Sequence, residues 1–177
     1  MSPDPASPLS RRRRLLIPGL VVAVLAGLLV VAGFVVFGPE DTPTRQEIVA
    51  QRGSKVMPFD LNATQHHFET TATGAVETVT ADSPDDSTQV GLIRQHLRTE
   101  ATRFEQGDFS DPAAIHGHDM PGLQILTQSP GRIDITYAEL PAGAMITFTT
   151  DDPARRSALA DWIMAQNMDH GTGMNHG

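Results

Sequence analysis

The sequence predicts an α+β protein: an N-terminal transmembrane helix, then a two-layer domain in which an antiparallel sheet carries helices on one face. Three observations lead there. Residues 15–37 carry no charge and follow four consecutive arginines, Arg11 to Arg14. Two segments, Thr64 to Ala81 and Arg132 to Thr150, read as strand pairs about a central turn. Each pair is followed by an apolar stripe at helical spacing. Strands gathered into one antiparallel sheet, with the two helices packed on it, is the natural way to bury both stripes.

The apolar run has 23 residues, Leu15 to Phe37. At ~1.5 Å per residue a helix of that length crosses a ~30 Å hydrocarbon core. The arginines ahead of it stay on the cytoplasmic side, so the expected topology is a single pass through the plasma membrane. Residues 1–14 then form a cytoplasmic stub, and everything after Gly38 is extracytoplasmic. The run is longer than a signal-peptide core, and it ends in bulky Phe34-Val35-Val36-Phe37 where a peptidase needs small residues, which favours an uncleaved anchor.

Residues 38–61 read as a juxtamembrane linker with a short helix, capped by Thr42 with Pro43 at its first position and running to about Arg52. Val56 to Leu61 is irregular or a short strand broken by Pro58. From Thr64, His66, Phe68, Thr70 and Ala72 share one strand face, and Gln65, His67, Glu69 and Thr71 the other. Gly74 turns the chain into Ala75 to Ala81. Ser87 is the expected cap of a helix from Thr88 to Gln106, whose Val90, Ile93, Leu97, Ala101 and Phe104 step by 3, 4, 4 and 3. Gly107 ends it. A short helix spans Ala113 to His116, a loop runs to Gly122, and Leu123 to Thr127 adds a helical turn. The strands Arg132 to Leu140 and Ala144 to Thr150 meet at Pro141-Ala142-Gly143. Asp151 or Asp152 caps the last helix, with Pro153 at its start and Leu159, Trp162, Ile163 and Gln166 inward. The extracytoplasmic domain thus covers 62–168, and 169–177 is a His/Met/Gly tail.

The chain has 13 Lys+Arg and 21 Asp+Glu; its first 37 residues hold four Arg and Asp4, leaving 9 basic and 20 acidic side chains beyond, net −11. Such a surface repels nucleic acid and attracts cations. There is no cysteine, which excludes disulfides, thiolate catalysis and cysteine-based zinc sites. Lys55 is the only lysine, and Ala, Gly and Thr are abundant, a composition of GC-rich bacterial genomes. No Gly-x-Ser-x-Gly elbow, His-Glu-x-x-His pair, phosphate loop or dinucleotide glycine pattern occurs.

Histidines cluster instead: His66-His67, His116-x-His118, and His170 with His176. Met120 and Met174 lie beside the last two clusters. Imidazole with thioether suits copper, and thioether favours Cu(I); zinc is the other candidate. His116, His118 and Met120 would point one way along an extended loop. The rival arrangement has His116 at a helix end, Met120 in the core and His118 on the surface. Asp119 and Asp169 are placed to donate oxygen or to hydrogen-bond an imidazole. His96, four residues before Glu100, reads as a solvated ion pair. Adjacent His66 and His67 point to opposite faces, so at most one of them joins a given site. Asp108, Asp111 and Asp119 read as caps and turn formers.

The block Ala101-Thr102-Arg103-Phe104-Glu105-Gln106-Gly107-Asp108-Phe109-Ser110-Asp111-Pro112-Ala113-Ala114-Ile115-His116-Gly117, then Met120-Pro121-Gly122-Leu123, resembles an uncharacterised family of bacterial exported or membrane-anchored proteins. Gln65-His66-His67-Phe68 and Ala165-Gln166-x-x-Asp169-His170-Gly171 look like the same family. Its members often carry the name aspartate carbamoyltransferase, but the Ser-Thr-Arg-Thr carbamoyl-phosphate motif of that enzyme is absent here. The resemblance implies one domain over roughly 62–171 and points at His66, His67, His116 and His170. Relatives are expected to carry His where this chain has Ala160.

Three functions follow as expectations. The first is an extracytoplasmic metal-binding domain anchored in the lipid bilayer by 15–37. Its ligands would be His66 or His67, His116 and His170, with His118, Met120, Met174 and His176 as further candidates. The second is a metal-free module that binds a protein partner near the membrane. The third is a small enzyme using His116 and Asp119, such as the transferase the family label names.

Overall fold

The computed structural model describes residues 42–171. The expected anchor at 15–37, the stub, and Met174 and His176 lie outside the described residues. No helix among the described residues is long and apolar enough to cross a membrane.

Helix α1 spans Arg45–Val56. It starts two residues later than Thr42 and Pro43 predicted, because Thr44 and Glu47 form a capping box. The Glu47 carboxylate accepts from the Thr44 amide at 2.6 Å, so two otherwise orphaned donors are satisfied. A 3₁₀ turn at Leu61–Ala63, capped by Asp60, leads into β1, Thr64–Thr70. Strand β2 is Gly74–Ala81. Helix α2, Ser87–Glu105, is capped by Asp86 rather than Ser87. Short helices α3, Ser110–His116, and α4, Leu123–Thr127, precede the second hairpin of β3, Asp134–Leu140, and β4, Gly143–Thr149. Helix α5 is Pro153–Asp169; Asp152 accepts from the amides of Ala154 and Arg155 at 2.9 and 3.0 Å.

The four strands form one antiparallel sheet in the order β1-β2-β4-β3. The two hairpins therefore meet at β2 and β4, with Val79 opposite Ala144 and Glu77 opposite Ile146. Inward residues alternate along each strand: Phe68 on β1, Ala75 and Val79 on β2, Ala144, Ile146 and Phe148 on β4, Ile135 on β3. Helix α2 packs across β2, β4 and β3, and α5 across β1 and β2. The predicted stripe of α2 is buried, as are Leu159, Trp162 and Ile163 of α5. Trp162 sits among Phe104, Phe109 and Phe148 with ring centroids 5.6–6.1 Å away, in edge-to-face geometry.

Two details position the site. Gly122 caps α4 at φ +77°, and a Cβ there would overlap the Ala158 carbonyl, so only glycine lets α4 dock on α5. Helix α1 packs on α3 and also touches α5, which puts it over the end of the sheet nearest β1.

Candidate functional site

Parity along β1 decides which of the paired histidines turns inward. His66 shares its face with the buried Phe68, whereas His67 faces solvent, 3.9 Å from Glu69. The register places Glu77 of β2 opposite Phe68, so this glutamate also points inward, between the fully buried Ala75 and Val79, and is itself half-buried. Helix α2 adds His96 and Glu100, one turn apart. This corrects the solvated pair expected from the sequence: Glu100 is 5% exposed, and both side chains line an internal cavity. Helix α3 delivers Asp111 and, at its last turn, His116. The end of α5 delivers Gln166 and His170.

These groups surround one cavity of about 50 Å³. Its other walls are apolar, with Val49 and Gly53 of α1, and Met57 just past its end, closing one side. The imidazoles are packed against each other and against aromatic rings. His170 stacks on His66 at 5.7 Å between centroids and 5° between planes, and meets His116 edge-on at 5.3 Å. Phe59 lies 5.7 Å from both His66 and His96. His170 keeps one side open to solvent and so marks the cavity's outer edge.

The hydrogen bond that sequence reasoning assigned to Asp119 or Asp169 is made by Asp169. Its Oδ2 stands 2.8 Å from His116 Nδ1. Arg45 donates to both Asp169 oxygens, at 2.8 and 2.6 Å, and to the His116 carbonyl at 2.6 Å. Burial works to raise the Asp169 carboxyl, but the bonds from Arg45 and His116 outweigh it and hold it below its ordinary value. An ionised carboxylate only accepts, so Nδ1 of His116 carries the hydrogen and Nε2 is left with its lone pair.

At the other end of the cavity, Arg103 binds four partners. It donates to Glu100 at 2.9 Å, Asp111 at 2.7 Å, Asp108 at 2.9 Å and the Ser110 hydroxyl at 2.6 Å. One guanidinium thus serves three carboxylates.

Burial dominates the titration of the set. It pushes His66 down to about 4, helped by repulsion from His170, His96 and His116. His170, His96 and His116 move the same way for the same leading reason, with Asp169 partly opposing the shift of His116. Burial raises Glu77 to about 8, with Glu100 adding repulsion, and raises Glu100 to about 7 against the pull of Arg103. At neutral pH the cavity therefore presents neutral imidazoles and a protonated Glu77.

The remaining predicted residues lie elsewhere. Met120 is a core residue at 6% exposure, and His118 is on the surface, as in the rival arrangement; neither lines the cavity. Glu77, His96, Glu100 and Gln166 were not singled out as site residues from the sequence. A signal existed for Glu77, which shares its parity with Ala75, Val79 and Ala81. Among the described residues, no three His, Asp or Glu side chains already stand as a ready-made metal group, and His66 and His170 are stacked.

No family model, curated protein or solved structure matches the chain.

Proposed function

We propose that this protein is a membrane-anchored extracytoplasmic domain that binds one transition-metal ion, copper or zinc, in the histidine cavity. The observation that carries the proposal is that four imidazoles, from His66, His96, His116 and His170, line one cavity of about 50 Å³. That volume suits an ion with a water and is far below the ~300 Å³ at which organic-ligand pockets begin. Neutral imidazoles are the protonation state a metal needs. His116, its Nδ1 tied to a carboxylate, has the arrangement common to metal-ligating histidines. Coordination requires the stacked rings of His66 and His170 to turn about their χ angles, a rotamer change that leaves the backbone in place.

The test uses the full chain in detergent micelles, titrated with Zn(II), Cu(II) and Cu(I). One ion per chain is expected, lost in His66→Ala and in His116→Ala. It should be retained in His67→Ala and in a chain ending at Gly171. Absence of stoichiometric uptake, or equal loss in His67→Ala, would sink the proposal.

A further inference from the structure

Glu77 is the least explained group in the domain. It sits mid-strand on the inner face of β2, and burial is its leading perturbation. Among the described residues no Arg or Lys pairs with it, and the charge it feels is that of another carboxyl, Glu100. Arg103, the guanidinium at that end, is already divided among Glu100, Asp108 and Asp111. An acid in such a place either keeps its proton or needs something positive to meet it.

An independent observation points into the same space. Gln166 is 4% exposed and lines the cavity, and its side-chain Oε1 has no hydrogen-bond partner. Buried carboxamide oxygens are normally satisfied, so an unpartnered one on a cavity-lining side chain is available to an ion or a water there. Glu77 and Gln166 thus add oxygen donors to the imidazoles of the cavity wall, and among the described residues no cation pairs with either. His66 lies opposite Val79 in the ladder, which makes it the diagonal neighbour of Glu77 on the same face. Diagonal backbones are ~7–8 Å apart, a gap that a Glu and a His side chain close from both sides onto one ion.

We propose that the ion is divalent and that Glu77 and Gln166 supply its oxygen donors beside His66, His116 and His170. The site is then a nitrogen–oxygen centre for Zn(II) or Cu(II), and not a thioether centre for Cu(I). This rests on the metal-binding reading above and narrows it. Hard and borderline donors dominate the cavity; its single thioether is Met57. Met120 packs in the core and Met168 is 63% exposed. As a ligand Glu77 gives up its proton, so it adds a negatively charged donor beside the three neutral imidazoles.

The experiment compares the full chain in micelles with Glu77→Gln, which removes the charge at nearly constant volume. Zn(II), Co(II) as a spectroscopic probe of zinc sites, and Cu(I) are titrated into each. Loss of a direct ligand should cost at least the upper end of the 10–100-fold seen for outer partners, so about 100-fold weaker Zn(II) and Co(II) binding is expected. The Co(II) absorption should change in shape. Gln166→Met, a second substitution of similar size, should weaken binding less, by about 10-fold. A metal-free melting temperature of Glu77→Gln at or above wild type shows that the fold persists. Binding and Co(II) spectra equal to wild type in Glu77→Gln, or Cu(I) displacing Zn(II) at equal concentration, overturn the assignment. If His116→Ala abolishes uptake while Glu77→Gln does not, the metal-binding reading stands and the role of Glu77 falls. No uptake by wild type removes both.

Discussion

His116 Nδ1 and the Asp169 carboxylate stand 2.8 Å apart, with the imidazole 3% and the carboxylate 12% exposed. They are 53 residues apart in sequence, and the bond is made only because the end of α3 and the end of α5 meet. It sets the tautomer of His116 and leaves the lone pair on Nε2. Asp169→Asn keeps the shape but offers an amide that can donate to Nδ1, which favours the opposite tautomer. The expected result is a 10–100-fold loss of metal affinity with the same stoichiometry, read by competition titration. Affinity within about two-fold of wild type would mean that Nε2 is not the coordinating atom.

The stability of the metal-free protein should depend on pH in two opposed ways. His66 titrates near 4 when folded against 6.5 ordinarily, so its contribution is complete above 6.5 and is lost as pH falls toward 4. His96, His116 and His170 are lowered too and add to this acid limb. Glu77 and Glu100, raised to about 8 and about 7 from 4.5, act in reverse. Their contribution is complete below 4.5 and is lost as pH rises through 7 and 8. Between 4.5 and 6.5 the two effects oppose each other, and the larger number of histidines tilts the maximum toward the upper end of that window. Calorimetric melting temperatures of chelator-treated protein should peak near pH 6.5 and fall on both sides. Glu77→Gln should shallow the alkaline fall. A melting temperature that climbs steadily from pH 6.5 to 9 would contradict this.

Gly122 gives a prediction about the fold alone. Gly122→Ala combines a left-handed φ with overlap on the Ala158 carbonyl, and backbone there cannot move without lifting α4 from α5. The loss should exceed the ~1–3 kcal/mol of the strained φ itself, lowering the melting temperature by about 10 °C. Gly131→Ala is the control: it also has positive φ, but a Cβ there meets nothing within 4 Å, so its loss should be smaller.

What the sequence made legible was whatever depends on local periodicity. The 3-4-4-3 stripe of α2 and the period-two faces of β1 follow from backbone geometry, so the elements and the split of His66 and His67 onto opposite faces were readable. The tail of the site was not. His96 and Glu100 looked like an exposed i, i+4 pair, because a helix wheel shows one stripe and these two lie beside it, where they line the cavity. The convergence of β1, α2, α3 and α5 depends on the strand order β1-β2-β4-β3, which places α5 across β1 and β2. No local pattern encodes that order. The family resemblance pointed at His66, His67, His116 and His170, without saying that three of them share a cavity from which His67 is turned away.

Arg45 joins α1 to this arrangement, and its removal should loosen one wall of the site. Only Val49 and Gly53 of the twelve α1 residues are buried, so the helix has little apolar contact of its own. Its polar attachments are the Arg45 bonds to Asp169 and to the His116 carbonyl, with Arg52 reaching the Ile115 carbonyl at 3.4 Å. Arg45 is 47% exposed, which limits the ion pair to about 1 kcal/mol, or a five-fold change in opening. Arg45→Ala should therefore speed amide exchange about five-fold across α1, while β2 and β4 keep their protection. Because Val49, Gly53 and Met57 line the cavity, the same variant should take up metal faster. Its affinity should fall less than in Asp169→Asn, since His116 keeps its carboxylate partner. An equal rise in exchange throughout the sheet would mean that α1 is part of the core's cooperative unit rather than a separately opening wall. Unchanged exchange in α1 would show that Val49 and Arg52 hold it without the latch.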